Sequence, residues 1–126
     1  MKILIIEDNP ANLELMSYLL KAQGYTIVSA GDGPSGIDAI CSERPDLVLC
    51  DVGLPVLDGY EVARRVKSDQ ELCQIPLVAV TAFAMDQDRT RISRAGFDGC
   101  ITKPITPETF AREILGFAHP AVTQNS

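Results

Sequence analysis

Five polar residues stand at the ends of short, mostly apolar stretches of the sequence. They are the pair Glu7 and Asp8, followed by Asp51, Thr81 and Lys103. A carboxylate can act as a nucleophile toward phosphorus and form an aspartyl phosphate. Mg²⁺ takes one or two carboxylates together with phosphate oxygens, and an ammonium and a hydroxyl can hold the other phosphoryl oxygens. These residue types together point to phosphoryl transfer onto a carboxylate.

The stretches that end in these residues alternate with segments of helical periodicity. Apolar runs predict strands over residues 2–7, 26–30, 47–51, 77–81 and 99–102. Apolar spacing and Pro, Gly and Asn signals predict helices over about 9–24, 31–45, 60–68, 85–95 and 106–116. The run before Asp51 is continuously apolar, which is typical of a strand buried on both faces. The alternation predicts an α/β fold, with a doubly wound, five-stranded parallel sheet covered by five helices.

The carboxyl ends of parallel strands lie on one edge of a sheet, so we expect the five polar side chains to converge. Two carboxylates about 4 Å apart repel by about 4 kcal/mol at an effective dielectric constant near 20. A cluster of Glu7, Asp8 and Asp51 therefore requires positive charge beside it. Lys103 supplies one unit, and a hard divalent cation such as Mg²⁺ supplies two.

Composition excludes several classes of function. The chain has 126 residues and a net charge of −6, which argues against nucleic-acid binding and against docking on anionic membranes. We expect one domain over residues 1–117 and a flexible tail over 118–126. The apolar stretches are too short for a secretory signal or a transmembrane helix, which predicts a cytoplasmic protein.

The sequence lacks the motifs of several other chemistries. Its four cysteines form no Cys-x-x-Cys pair, and Cys50 and Cys100 are predicted to be small buried apolar residues. There is no Walker loop and no Gly-x-Gly-x-x-Gly fingerprint, which argues against an ATPase or a dinucleotide-binding protein.

The polar residues and their neighbours also form a familiar set, which resembles the signature of bacterial two-component response-regulator receiver domains. The resemblance covers residues 1 to about 117. It rests on Glu7-Asp8-Asn9, on Asp51-Val52-Gly53-Leu54-Pro55 with Asp58-Gly59, on Val80-Thr81-Ala82 and on Lys103-Pro104. The stretches 22–25 and 80–85 further resemble DivK-like cell-cycle receivers.

The resemblance implies a flavodoxin-like (CheY-like) fold with strand order 2-1-3-4-5 and a Mg²⁺-dependent phosphorelay function. Asp51 would accept the phosphoryl group from a histidine kinase or a histidine phosphotransfer protein. Asp8 and Asp51 would bind Mg²⁺ directly, Glu7 through water, and Gly53 through its backbone carbonyl. Thr81 and Lys103 would hold the phosphoryl group, and the bond between Lys103 and Pro104 is expected to be cis.

One position departs from the family pattern. Receivers usually carry an aromatic residue three positions before the lysine, and here that position is Cys100. The usual coupling between the threonine and that aromatic residue therefore lacks its aromatic partner here. Gly53 and Phe83 occupy positions expected to tune dephosphorylation.

No output domain follows residue 117, so the expectation is a stand-alone receiver that is a switch and not an enzyme. It would act through protein contacts on the face made by the fourth helix, the fifth strand and the fifth helix. Exposed candidates on this face are Asp86, Gln87, Arg89, Arg91 and Arg112.

Two alternatives remain open at this point. A metal-dependent phosphatase with an aspartyl nucleophile normally carries a second acid two residues later, and Gly53 stands there instead. A flavin-binding protein of the same architecture would place its phosphate loop after the first strand, where Glu7 and Asp8 would repel the anion.

Overall fold

A parallel sheet lies at the centre of the structure, a computed structural model that describes residues 1–82 and 85–118. Its strands are β1 (Lys2–Ile6), β2 (Thr26–Ala30), β3 (Leu47–Asp51), β4 (Leu77–Thr81) and β5 (Gly99–Thr102). They pair in the order β2-β1-β3-β4-β5, and every neighbouring pair is parallel. The predicted flavodoxin-like fold and its strand order are confirmed.

Five helices connect the strands: α1 (Pro10–Ala22), α2 (Gly33–Glu43), α3 (Gly59–Lys67), α4 (Asp86–Ala95) and α5 (Pro107–Ala118). The first three begin at side-chain caps, in which Asn9, Asp32 and Asp58 each accept a hydrogen bond from the backbone N–H three residues later. Such caps satisfy donors that the first helical turn would otherwise leave unpaired. They explain why the helix starts were visible in the sequence.

The helices cover both faces of the sheet because side chains along each strand alternate between two cores. Ile3 and Ile5 of β1 belong to a core covered by α1 and α5, where Met16 and Phe110 are buried. The next residues along each strand belong to a second core covered by α2, α3 and α4, which contains Val66. This double burial makes the strand sequences continuously apolar.

Several boundaries differ from the prediction. Strand β1 ends at Ile6 and not at Glu7, and α4 begins at Asp86 with Met85 as its cap. Helix α5 passes Gly116 and ends at Ala118. The predicted tail, 118–126, therefore begins with a helical residue. Its remainder, 119–126, lies outside the described residues, and so does Phe83, which was predicted to tune dephosphorylation. The division at residue 117 stays a prediction.

The predicted burial of the two strand cysteines is half correct. Cys50 is fully buried in β3, as expected, and burial raises the pKa of its thiol far above the ordinary value. Cys100 is only partly buried and packs against the edge of the second core, because β5 is the outermost strand on its side of the sheet. All four cysteines are free.

A search of the described residues for a helix long and apolar enough to cross a membrane found none.

Two neighbouring residues of α5 provide a matched test of the packing. Ile114 is fully buried between α5 and the sheet, whereas Leu115 is 54% exposed. We expect Ile114→Ala to lower the free energy of unfolding by about 2–5 kcal/mol, because it removes buried methyl groups and leaves a cavity. Leu115→Ala should cost less than about 1 kcal/mol. Urea unfolding of both variants measures the difference, and equal losses would contradict this packing of α5.

Candidate functional site

The polar residues singled out in the sequence meet at the carboxyl edge of the sheet. Glu7 follows β1, Asp51 ends β3, Thr81 ends β4 and Lys103 follows β5. Parallel pairing sets them side by side: Asp51 is in register with Val80, the residue before Thr81. Glu7, Asp51 and Thr81 are 2%, 9% and 1% exposed, so this edge is a largely desolvated site.

Three carboxylates form a cluster at this edge. Glu7, Asp8 and Asp51 each place an oxygen within 4.8 Å of the others'. Oxygen ligands are what Mg²⁺ requires. The buried Oε1 of Glu7 also has no aligned hydrogen-bond partner among the described residues, so it retains capacity for another positive partner. The donor set therefore fits a hard divalent cation, as predicted.

The ammonium of Lys103 lies beside the cluster. Its Nζ is 2.9 Å from Glu7 Oε1, an ion-pair distance without hydrogen-bond alignment, and 3.6 Å from Asp51 Oδ2. The Lys103 side chain is only 18% exposed. Its backbone N–H donates to the carbonyl oxygen of Thr81 at 2.8 Å, and the bond to Pro104 is cis, as expected. Lys103 thus supplies part of the positive charge that the three carboxylates require.

Backbone donors orient two of the carboxylates. The N–H of Asn9 donates to Glu7 Oε2 at 3.1 Å, and the N–H of Gly53 donates to Asp51 Oδ1 at 3.2 Å. Oδ2 of Asp51 is the oxygen that faces Lys103. The N–H of Gly53 was not considered at the sequence level, where only its carbonyl was assigned a role.

The electrostatics of the cluster are most visible at Glu7. Burial raises the pKa of its carboxyl, and the negative charge of Asp51 acts in the same direction. The Lys103 ammonium and the Asn9 N–H lower the pKa but do not cancel the effect of burial. The charged form of Glu7 is thus disfavoured in the folded protein when no metal is bound.

Gly59 holds the loop that follows Asp51. Its N–H donates to the carbonyl oxygen of Val52 at 3.0 Å, closing the loop onto the strand end. A Cβ at this position would lie 2.5 Å from the carbonyl oxygen of Asp51 and 2.6 Å from Val52 Cα. Only glycine therefore permits this approach. The Asp58-Gly59 pair was visible in the sequence, but its role in fixing Asp51 was not.

A contact between α3 and α4 was also missed. The guanidinium carbon of Arg91 lies 3.9 Å from the centroid of the Tyr60 ring, and Tyr60 is 8% exposed. In the sequence Arg91 belongs to a charged stretch and was assigned to the partner surface. In the structure its guanidinium is directed toward α3 and lies over the Tyr60 ring. A cation over an aromatic face is a favourable pairing.

The protein is a doubly wound α/β protein, and the carboxyl edge of its sheet carries a carboxylate cluster that could hold a metal ion. A family profile for the response regulator receiver domain matches residues 3–115, and the chain belongs to that family. It is therefore a receiver of two-component phosphorelay signalling, and the phosphatase alternative is not supported.

Individual relatives agree with this assignment. The polar-differentiation response regulator DivK of Brucella anthropi is 40% identical over 115 residues, which cover 91% of this chain and 94% of that protein. The receiver domain of the sensor histidine kinase PA1611 of Pseudomonas aeruginosa PAO1 is 31% identical to this chain. The two structures align with a TM-score of 0.85, over 93% of this chain and 96% of the PA1611 domain. The crystal structure of the PA1611 domain has a magnesium ion coordinated in its active-site cleft. The chemotaxis protein CheY4 of Vibrio cholerae shares the fold, at 24% identity and a TM-score of 0.87 over 92% and 97% of the two chains. The predicted likeness to DivK is confirmed.

The raised pKa of Glu7 predicts a dependence of stability on pH. The folded protein holds the Glu7 proton more tightly than the unfolded chain does, so the carboxyl destabilises the metal-free fold increasingly as pH rises above its ordinary pKa. We expect Glu7→Gln to raise the melting temperature of metal-free protein at pH 7.5 and to change it less at pH 4. Calorimetry in EDTA at both pH values measures this. A lower melting temperature at pH 7.5 would show that the pair with Lys103 outweighs burial.

Proposed function

We propose that Asp51 is the phosphoacceptor and that the phosphodonor is a phosphohistidine on a sensor histidine kinase or a histidine phosphotransfer protein. The observation that carries this is the position of Asp51 Oδ2, at a largely buried strand end and 3.6 Å from the ammonium of Lys103. A phosphoryl group added to this carboxylate would bring negative charge next to the Lys103 ammonium, which would stabilise it.

The transfer is a single displacement at phosphorus. Oδ2 of Asp51 attacks the phosphorus while Gly53 N–H holds Oδ1, and an acyl phosphate bond forms as the N–P bond of phosphohistidine breaks. The electron pair of that bond returns to the imidazole, which takes up a proton. Lys103 pairs with one phosphoryl oxygen, and the hydroxyl of Thr81 donates a hydrogen bond to another. The roles of Thr81 and Lys103 are positioning and charge stabilisation.

We further propose that the carboxylate cluster holds Mg²⁺. Asp8 and Asp51 would be direct ligands, Gly53 would add its carbonyl oxygen, and Glu7 would act through water. The magnesium ion in the related PA1611 receiver supports this, as does the oxygen-only donor set. When bound, Mg²⁺ neutralises the charge that gathers on the phosphoryl oxygens during transfer.

The same geometry supports a switch that does not turn over external substrates. Gly53 lies where an aspartyl phosphatase carries its general acid; among the described residues other than its chain neighbours, a Cβ there would come within 4.0 Å of Asp51 Oδ1 alone. No side chain at this position can protonate a leaving group. Three carboxylates at this edge also disfavour the anionic phosphate of a flavin.

The output is proposed to be a change in protein contacts on the face made by α4, β5 and α5. All five candidate residues on α4 and α5 are exposed, although the guanidinium of Arg91 is directed toward Tyr60. A groove of about 240 Å³ lies between α4 and β5, and Arg89 and Cys100 line it. The small thiol of Cys100 leaves room there for a side chain of a partner protein.

The net charge of −6 disfavours nucleic acid and anionic membranes as partners. We place the exchange in the cytoplasm, where the four free thiols would stay reduced.

The phosphoacceptor assignment predicts the result of one substitution. Asp51→Asn should abolish labelling by acetyl phosphate and binding of beryllofluoride in the presence of Mg²⁺, because the amide is a poor nucleophile and carries no charge. Intact-protein mass spectrometry and a beryllofluoride titration measure the two effects. Asp38→Asn, a change of equal charge on the exposed surface of α2, should behave as wild type. Unchanged labelling of Asp51→Asn would overturn the assignment.

Removal of the Lys103 charge should have opposite effects on Mg²⁺ affinity and on the rate of phosphoryl transfer. Lys103→Met removes a positive charge beside the carboxylates, so we expect tighter Mg²⁺ binding and phosphorylation slower by about 100-fold, the cost of losing one charge-stabilising donor. Lys103→Arg keeps the charge and should leave Mg²⁺ affinity close to wild type. Calorimetric titration with Mg²⁺ and the rate of labelling by acetyl phosphate measure the pair. Weaker Mg²⁺ binding by Lys103→Met would contradict the electrostatic account.

A further inference from the structure

We propose that the contact between Arg91 and Tyr60 links the phosphoacceptor loop to α4 and opposes the shift that a phosphoryl group on Asp51 would impose on that loop. This regulatory role rests on the proposed function of Asp51. The link is built from three contacts in series.

The first contact joins Asp51 to Gly59. The Cα of Gly59 lies so close to the carbonyl of Asp51 and to Val52 Cα that even a Cβ would overlap with both. The Gly59 N–H also donates to the carbonyl of Val52 at 3.0 Å. Close-packed groups cannot move independently, so a shift of the strand end on phosphorylation displaces Gly59.

The second contact is covalent and helical. Gly59 is the first residue of α3, and Tyr60 is the next. The helix is anchored by its cap Asp58 and by three buried apolar side chains, Val62, Ala63 and Val66. The Tyr60 ring is 8% exposed and belongs to the same core. Its orientation therefore follows the first turn of α3.

The third contact joins that ring to α4. The guanidinium of Arg91 lies over the ring, 3.9 Å from its centroid, and among the described residues Arg91 forms no ion pair. Its neighbour Ile92 is 3% exposed and packs in the second core. The Tyr60 ring thus holds the Arg91 guanidinium, and the buried Ile92 beside it joins the same turn of α4 to the core.

The direction of the effect follows from the order of the contacts. A phosphoryl group on Asp51 must fit beside Lys103, whose Nζ lies 3.6 Å from Asp51 Oδ2, and the resulting shift of the strand end passes through Gly59 and Tyr60 to strain the contact with Arg91. Removal of that contact lowers the cost of the shift, and by linkage raises the affinity for a phosphoryl group or its mimic.

The test uses the full chain with beryllofluoride and Mg²⁺ as the probe, followed by ¹H–¹⁵N NMR. In wild type we expect shifts both in residues 51–60 and in α4. Arg91→Gln should keep the shifts in 51–60, lose most of those in α4, and lower the beryllofluoride midpoint by about 2- to 5-fold, the worth of an exposed cation–π pair.

Two controls separate this contact from a general effect of charge. Arg94→Gln makes the same charge change on the exposed surface of the same helix and should respond as wild type. Arg91→Lys keeps the charge but loses the planar group that stacks on the ring, so its response should lie between those of wild type and Arg91→Gln. A full α4 response and an unchanged midpoint in Arg91→Gln would overturn the inference while leaving the function of Asp51 intact. Failure of wild type to bind beryllofluoride would overturn both.

Discussion

Three carboxylates and one ammonium share the carboxyl edge of the sheet, and the balance of their charges governs the rest of the site. Glu7 is almost fully buried, which makes its ionisation costly, and Lys103 reduces that cost from 2.9 Å. Lys103 also lies near Asp51, the carboxylate proposed to gain further negative charge. The site is thus incompletely neutralised as it stands, which prepares it for a divalent cation and an anionic group together.

The parallel sheet makes this balance possible. Two apolar cores fix β1, β3, β4 and β5 in register, so side chains separated by dozens of residues along the chain end on the same edge. A weaker register would let the carboxylates separate, and their mutual repulsion would drive that separation. The stability of the cores therefore sustains an arrangement of charges that is unfavourable by itself.

The apolar runs were sufficient to predict a parallel sheet and the convergence of Glu7, Asp51, Thr81 and Lys103, whereas the strand order came from the resemblance to receivers. Double burial leaves continuous apolar runs, and parallel topology then dictates where their ends lie. Features that depend on tertiary packing were not predictable. The partial exposure of Cys100 is one of them: the strand order puts β5 at an edge, but how far the helices cover its side chains depends on their packing.

The pairing of Arg91 with Tyr60 shows the same limit. An arginine in a charged stretch looks like any solvated residue until the neighbouring helix is placed beside it. The hydrogen bond from Gly53 N–H to Asp51 likewise depends on the backbone path of one loop. Residue types and strand ends indicated the carboxylates, Thr81 and Lys103, the resemblance to receivers added Gly53 and the role of each residue, and the structure was needed to show what holds them.

The site residues come from distant parts of the chain, and this makes the capacity to accept a phosphoryl group dependent on complete folding. No short segment contains the site, since its parts come from the ends of four strands that span residues 7 to 103. A chain that has lost any of these strands has no acceptor pocket. Only folded molecules can therefore take up a phosphoryl group, and a change in the cores lowers that amount once its cost approaches the whole free energy of unfolding.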